Sequence, residues 1–197
     1  MNCFSLSIME EVKPIKVQQP SIPAPGTKLV PNDGQQSPAM VMPFQLTVTD
    51  FGVKETSVQV TLSSDPAIAA FTASYRHASI VECQAVLLPN RTSSSNPTHC
   101  DLVWVPANST ASPTTILKTF GGSRFTLGGP ITTNQIITIP LPLDSVNCRI
   151  KDSVLYTDSP RLLAYSPAPT TTQTIPSGSL IIRGKIRLSS PLLQPSS

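Results

Sequence analysis

A chain of 197 residues is long enough for one domain with a real core, and its 21 prolines far exceed the roughly 5% of an average protein. Proline at that density is kept out of helix interiors and central strands, so the elements must be many and short. Charged residues are only 13%, with a net charge of +3, while 39% of residues are hydrophobic and 25 serines and 21 threonines supply the polarity; this excludes coiled coils, helical bundles and charge-rich disorder, and no apolar run approaches the roughly 20 residues of a membrane span.

Residues 1–36 mix Pro, Gln and Lys, with Pro14, Pro20, Pro23, Pro25 and Pro31 too closely spaced for helix or strand, and they read as an extended, partly disordered N-terminal arm. Lys13, Lys16 and Lys28 balance Glu10, Glu11 and Asp33, so the arm is neutral. Met1–Met9 has neither a basic start nor a clean apolar stretch, which argues against a secretion signal, and Met9-Glu10-Glu11 reads as an alternative start.

The remainder, 37–197, reads as one β domain. Phe44, Leu46 and Val48 alternate with Gln45, Thr47 and Thr49, and Val58, Val60 and Leu62 alternate with polar neighbours, the two-residue period of half-buried strands. Further strands are expected over 78–88, 100–105, 124–127, 136–141, 161–166 and 180–189, eight in all. Two short helices interrupt them. Asp65-Pro66 places an N-cap acceptor before a proline at the first helical position, ahead of 67–71, and Ser112-Pro113 repeats the device before 114–120, where Gly121 supplies a left-handed stop. Eight strands with this punctuation predict an all-β antiparallel sandwich or jelly roll with short helices in its connections.

The motifs for chemistry are weak. His77 and His99 lie in no nucleophile motif, and Gly-x-Ser-x-Gly is absent. Gly121-Gly122 and Gly128-Gly129 bracket a short strand rather than opening a helix with Gly-Lys-Ser/Thr, so they read as turn glycines. Cys3, Cys83, Cys100 and Cys148 form no Cys-x-x-Cys pair, which argues against zinc. No enzyme is expected.

Charge offers more. From Arg161 onward Arg161, Arg183, Lys185 and Arg187 meet no acid, and in 180–188 Leu180, Ile182, Ile186 and Leu188 alternate with Arg183, Lys185 and Arg187. One face of that strand is apolar and the other cationic, suited to nucleic acid or to water. Aromatic residues do not interleave with the cations, so no base-stacking platform is indicated. Tyr75-Arg76-His77-Ala78 opens a strand expected to carry Glu82 and Gln84 on the Ile80 face. In so uncharged a chain, Arg76, Lys151, Asp152, Asp158 and Arg161 suggest a few specifying ion pairs in an otherwise apolar assembly. A carbohydrate-binding β-sandwich is the alternative; only ten aromatic residues speak against it.

Tyr75-Arg76-His77-Ala78-Ser79, Trp104-Val105-Pro106-Ala107-Asn108-Ser109, Lys118-Thr119-Phe120-Gly121-Gly122, Leu127-Gly128-Gly129, Arg149-Ile150-Lys151-Asp152-Ser153, 156–163 and Ser190-Pro191-Leu192 follow one another in an order and spacing that resembles the tymovirus coat proteins over residues 38–193. The resemblance implies an eight-stranded jelly-roll shell domain, a non-enveloped T=3 capsid of 180 copies with pentamers and hexamers, and a positive-sense single-stranded RNA genome of a plant virus. At +3 each, 180 copies carry 540 net charges against RNA phosphates on the order of several thousand. Polyamines or divalent cations are therefore expected with the RNA, and contacts between subunits must hold the shell. His77 lies in the motif the family places toward the capsid interior, so an RNA contact that strengthens as pH falls is implied for it, beside the alternative of a polar residue satisfied at a subunit junction. With the cationic strand, the RNA-contacting candidates are His77, Arg183, Lys185 and Arg187. The subunit-interface candidates are Tyr75, Arg76, Trp104, Lys151, Asp152, Asp158 and Arg161, Tyr75 and Trp104 being aromatic anchors; ordinary core is the alternative for Trp104. The virion, assembled inside the plant cell, is the expected location.

Overall fold

The two-residue alternation becomes strands wherever it occurs. A computed structural model describes residues 39–129, 135–144, 148–152 and 159–192; the arm at 1–36 and Asp158 lie outside the described residues. Nine strands are found there: β1 Ala39–Phe51, β2 Thr56–Thr61, β3 Tyr75–Pro89, β4 Thr98–Val105, β5 Ser123–Leu127, β6 Ile137–Pro140, β7 Arg149–Asp152, β8 Arg161–Ser166 and β9 Gly178–Pro191. The eight expected strands are all present. The additional one, β7, pairs with the start of β3.

Two antiparallel sheets result, one with strands in the order β1-β9-β3-β6 and β7 alongside β3, the other in the order β2-β8-β4-β5. Consecutive strands change sheet at every step except β4/β5 and β6/β7, as a jelly roll requires. The inward side chains of both sheets meet in one core that includes Phe44, Phe51, Leu87, Trp104, Leu162 and Ile182. Removing this apolar surface from water is the main term that favours the fold.

The helix signals act as read, with one correction. Asp65 Oδ1 accepts from the Ala67 N–H at 2.9 Å and caps α1 (Pro66–Ala73). The second segment is a 3-10 helix, Pro113–Lys118, in which the Ser112 N–H donates to Thr115 Oγ1 at 3.1 Å. Gly121 follows with φ +86°, the left-handed turn expected of it. Ile116 of this helix closes over Val103, Val105 and Leu163 as a small second cluster. The outer face of the smaller sheet is thus partly sealed by the chain's own β4–β5 connection.

The face expected for Glu82 and Gln84 is also corrected. β3 slips by one residue against β9 between Ile80 and Glu82, leaving Val81 without a partner in the register. A bulge of one residue reverses which side of the sheet follows. Ala78 and Ile80 point into the core before it, and Cys83, Ala85 and Leu87 after it. Glu82 and Gln84 therefore turn away from the core.

Candidate nucleic-acid interface

β9 lies between β1 and β3, and antiparallel register puts directly opposed residues on one face. Rows across the larger sheet read Gln45, Arg183 and Gln84; Pro43, Lys185 and Glu82; Val41, Arg187 and Ser79; Ala39, Ser189 and His77. β7 extends two of them, with Arg149 opposite Ser79 and Asp152 opposite His77. The four RNA-contacting candidates, His77, Arg183, Lys185 and Arg187, thus share the outer face of one sheet although His77 is far from the others in sequence. The two arginines and Lys185 are exposed, and His77 is half-buried.

Cation and acid are partly matched on this face. Lys185 Nζ donates to Glu82 Oε2 at 2.8 Å, with both side chains about half exposed (53% and 55%). That hydrogen bond, then the charge of Lys185 and more weakly that of Arg183, hold the Glu82 carboxyl below its ordinary pKa against a small opposing cost of desolvation. With its amide oxygen turned toward Arg183, Gln84 accepts from Nη2 at 3.0 Å. Pro43, Gln45, Glu82, Gln84, Arg183 and Lys185 line a shallow hollow of about 470 Å³. Lys185 is thus engaged by a carboxylate, whereas Arg183 is bonded to a neutral amide, and Arg183 and Arg187 present guanidinium groups suited to phosphate oxygens. Arg149 is exposed on the same face. Sequence reasoning missed it as an RNA candidate because β7 was not foreseen. Among the described residues no group of three or more His, Cys, Asp or Glu could hold a metal ion.

The interface candidates separate. Tyr75 is half-buried against the core and Arg76 is exposed, both at the start of β3 beside β7. Lys151 and Arg161, expected to form ion pairs between subunits, each have a partner within the chain. Lys151 Nζ donates to the Thr72 carbonyl at 3.2 Å, in the last turn of α1, where the helix dipole favours a cation. Arg161 Nη2 donates to the Ser109 carbonyl, and its Nε is buried with no hydrogen-bond partner among the described residues. Trp104 is 6% exposed in the main core and donates Nε1–H to the Ile139 carbonyl at 3.3 Å. Of the two readings of Trp104, aromatic anchor and ordinary core, its place in the main core favours the second. Another pair went unread in the sequence: buried Asp101 accepts from Arg124 Nε at 2.7 Å and Nη2 at 2.9 Å across β4 and β5.

Comparison with known proteins bears on all of this. Residues 20–197 match the family model described as Tymovirus coat protein. The capsid protein of Ononis yellow mosaic virus is 71% identical over 187 residues, covering 95% of this chain and 97% of that protein. Among solved structures, Desmodium yellow mottle tymovirus superposes with a TM-score of 0.79 at 40% identity, covering 91% of this chain and 99% of that one. An empty head of turnip yellow mosaic virus gives 0.77 at 29% identity, covering 95% and 94%. Likeness to capsid proteins over nearly the whole length leaves no support for a carbohydrate-binding sandwich or for an enzyme. The chain belongs to the tymovirus coat proteins and is a structural subunit of a virus capsid.

Proposed function

We propose that 180 copies of this chain form a T=3 icosahedral shell around positive-sense single-stranded RNA, and that the outer face of the larger sheet meets that RNA. One observation carries the RNA reading: His77, Arg149, Arg183 and Arg187, drawn from three strands, share one sheet face with Lys185, and of the acids in those rows Glu82 is paired with Lys185 while Asp152 stands opposite His77. The outer face of the smaller sheet is instead partly sealed by Ile116 and its neighbours. Phosphate contacts by such a face fix position without reading sequence, as a genome container requires.

Net charge limits how much the face does. At +3 per subunit the shell carries 540 net positive charges, and polyamines or divalent cations supply the balance for RNA of several thousand phosphates. Particles form inside the infected plant cell. His77 stands one row from Arg187 on that face, and an RNA contact by it is part of the same reading.

Expression of the chain alone, with electron microscopy of the product and photo-crosslinking of encapsidated RNA, tests the reading. The expected result is isometric T=3 shells whose crosslinked peptides come from β9, β7 and the start of β3. Crosslinks confined to the smaller sheet would overturn the assignment of the face.

A further inference from the structure

Phe120 is fully exposed (100%), in a protein with six phenylalanines of which Phe44 and Phe51 lie in the core. Its exposure is built into the backbone. Ile116, 1% exposed, anchors the 3-10 helix Pro113–Lys118 against the smaller sheet. The Thr119 N–H then donates to the Ile116 carbonyl at 2.9 Å and the Gly122 N–H to the Thr119 carbonyl at 3.0 Å. Gly121 between them has a positive φ, and a Cβ at Gly122 would collide with the Ile116 carbonyl oxygen. This closed turn holds the ring away from its own core.

Beside Phe120 lies a hollow of about 440 Å³, with walls that include Val105, Pro106, Ile139, Pro140 and Pro142. Trp104 also lines it, contributing the small part of its surface left uncovered. Three prolines and the Trp104 to Ile139 hydrogen bond make the walls stiff, so little conformational entropy remains to be lost on docking. Among the described residues no charged side chain lines the hollow. Leu117 (50%) and Leu143 (40%) are exposed nearby in sequence. An apolar, uncharged surface with a projecting aromatic has nothing to offer RNA phosphates and has the composition of an interface centre.

We infer that this hollow, with Phe120 at its rim, is a subunit contact whose occupant is a second copy of this chain. The inference rests on membership of a capsid family, in which copies must cover one another's apolar surface, and not on the RNA reading. It also suits the charge balance, because +3 per subunit leaves shell cohesion to apolar contact.

Hydroxyl-radical footprinting of the wild-type protein, read by mass spectrometry at Phe120, compares assembled shells with free subunits. Oxidation of Phe120 is expected to slow by at least about tenfold on assembly. In parallel, Phe120→Ser should give subunits with unchanged circular dichroism and melting temperature that need at least about tenfold higher concentration to form shells. Equal oxidation of Phe120 in shells and subunits, or wild-type assembly by Phe120→Ser, would overturn the inference. Shells empty of RNA count as assembly, so a failure of the RNA reading leaves this result intact.

Discussion

Lys185 Nζ lies 2.8 Å from Glu82 Oε2 across β9 and β3, so the strand richest in outward cations is paired, at its middle, with a carboxylate on the same face. The carboxylate withholds one positive charge from any polyanion. Glu82→Gln should release it, making the salt dependence of single-stranded RNA binding steeper by about 0.7 in log–log slope, the contribution of one phosphate contact. Fluorescence anisotropy of a labelled oligonucleotide with dissociated subunits measures this. The pH dependence has a definite sign. Glu82 has a lowered folded pKa, so the pairing is fully present above the ordinary carboxylate pKa and is lost as pH falls through the folded value. Wild type and variant should converge there, and identical slopes at neutral pH would count against the pairing as a control on charge.

Trp104 tests the difference between a core residue and an interface anchor. Trp104→Ala should destabilise the isolated subunit by about 3–5 kcal/mol, since the side chain is buried in the main core. Trp104→Phe keeps most of the packing and should cost less, chiefly through the lost bond to the Ile139 carbonyl. Urea unfolding of both variants checks this. Unchanged subunit stability in Trp104→Ala, with assembly alone impaired, would contradict the core role.

Thiol chemistry should report burial directly. Burial pushes the Cys83 thiol up to about 12, opposed only weakly by the Gln84 backbone, and burial and then the Asp101 charge raise Cys100 as well. The thiolate is the reactive form. Iodoacetamide at pH 8, followed peptide by peptide, should leave Cys83 and Cys100 unmodified in folded subunits and label both in urea. Half-buried Cys148 should react at an intermediate rate. Fast modification of Cys83 without denaturant would contradict its placement.

Much of the fold was legible because alternation is local. Phe44 to Val48 and Leu180 to Leu188 show their faces unaided, and Asp65-Pro66 and Ser112-Pro113 mark helix starts through hydrogen bonds made within three residues. What was not legible is non-local. The Val81 bulge leaves no trace in Ser79-Ile80-Val81-Glu82-Cys83, which reads equally well in either parity. β7 has a single apolar residue, Ile150, and exists because β3 offers it an edge. That His77 sits one row from Arg187 follows from the order of strands in the sheet, which no local pattern states. Lys151 and Arg161 were read as outward charges because their acceptors are backbone carbonyls of remote segments, invisible to charge counting.

The position of β9 has a consequence for how the subunit is made. The last described strand, Gly178–Pro191, is inserted between the first, β1, and β3, and supplies hydrogen-bonding partners to both. The larger sheet therefore cannot close while the chain is still being translated toward residue 178. The pairings of β9 span from 89 residues (Pro89 with Gly178) to 150 (Ala39 with Ser189), the kind of topology that folds slowly because loop closure precedes the contacts that reward it. Until then β1 is a thirteen-residue strand with no neighbour in its sheet. A prematurely terminated product lacks the strand that joins β1 to β3 and the outward arginines on it, so only chains translated through this strand carry both the completed sheet and its cationic face.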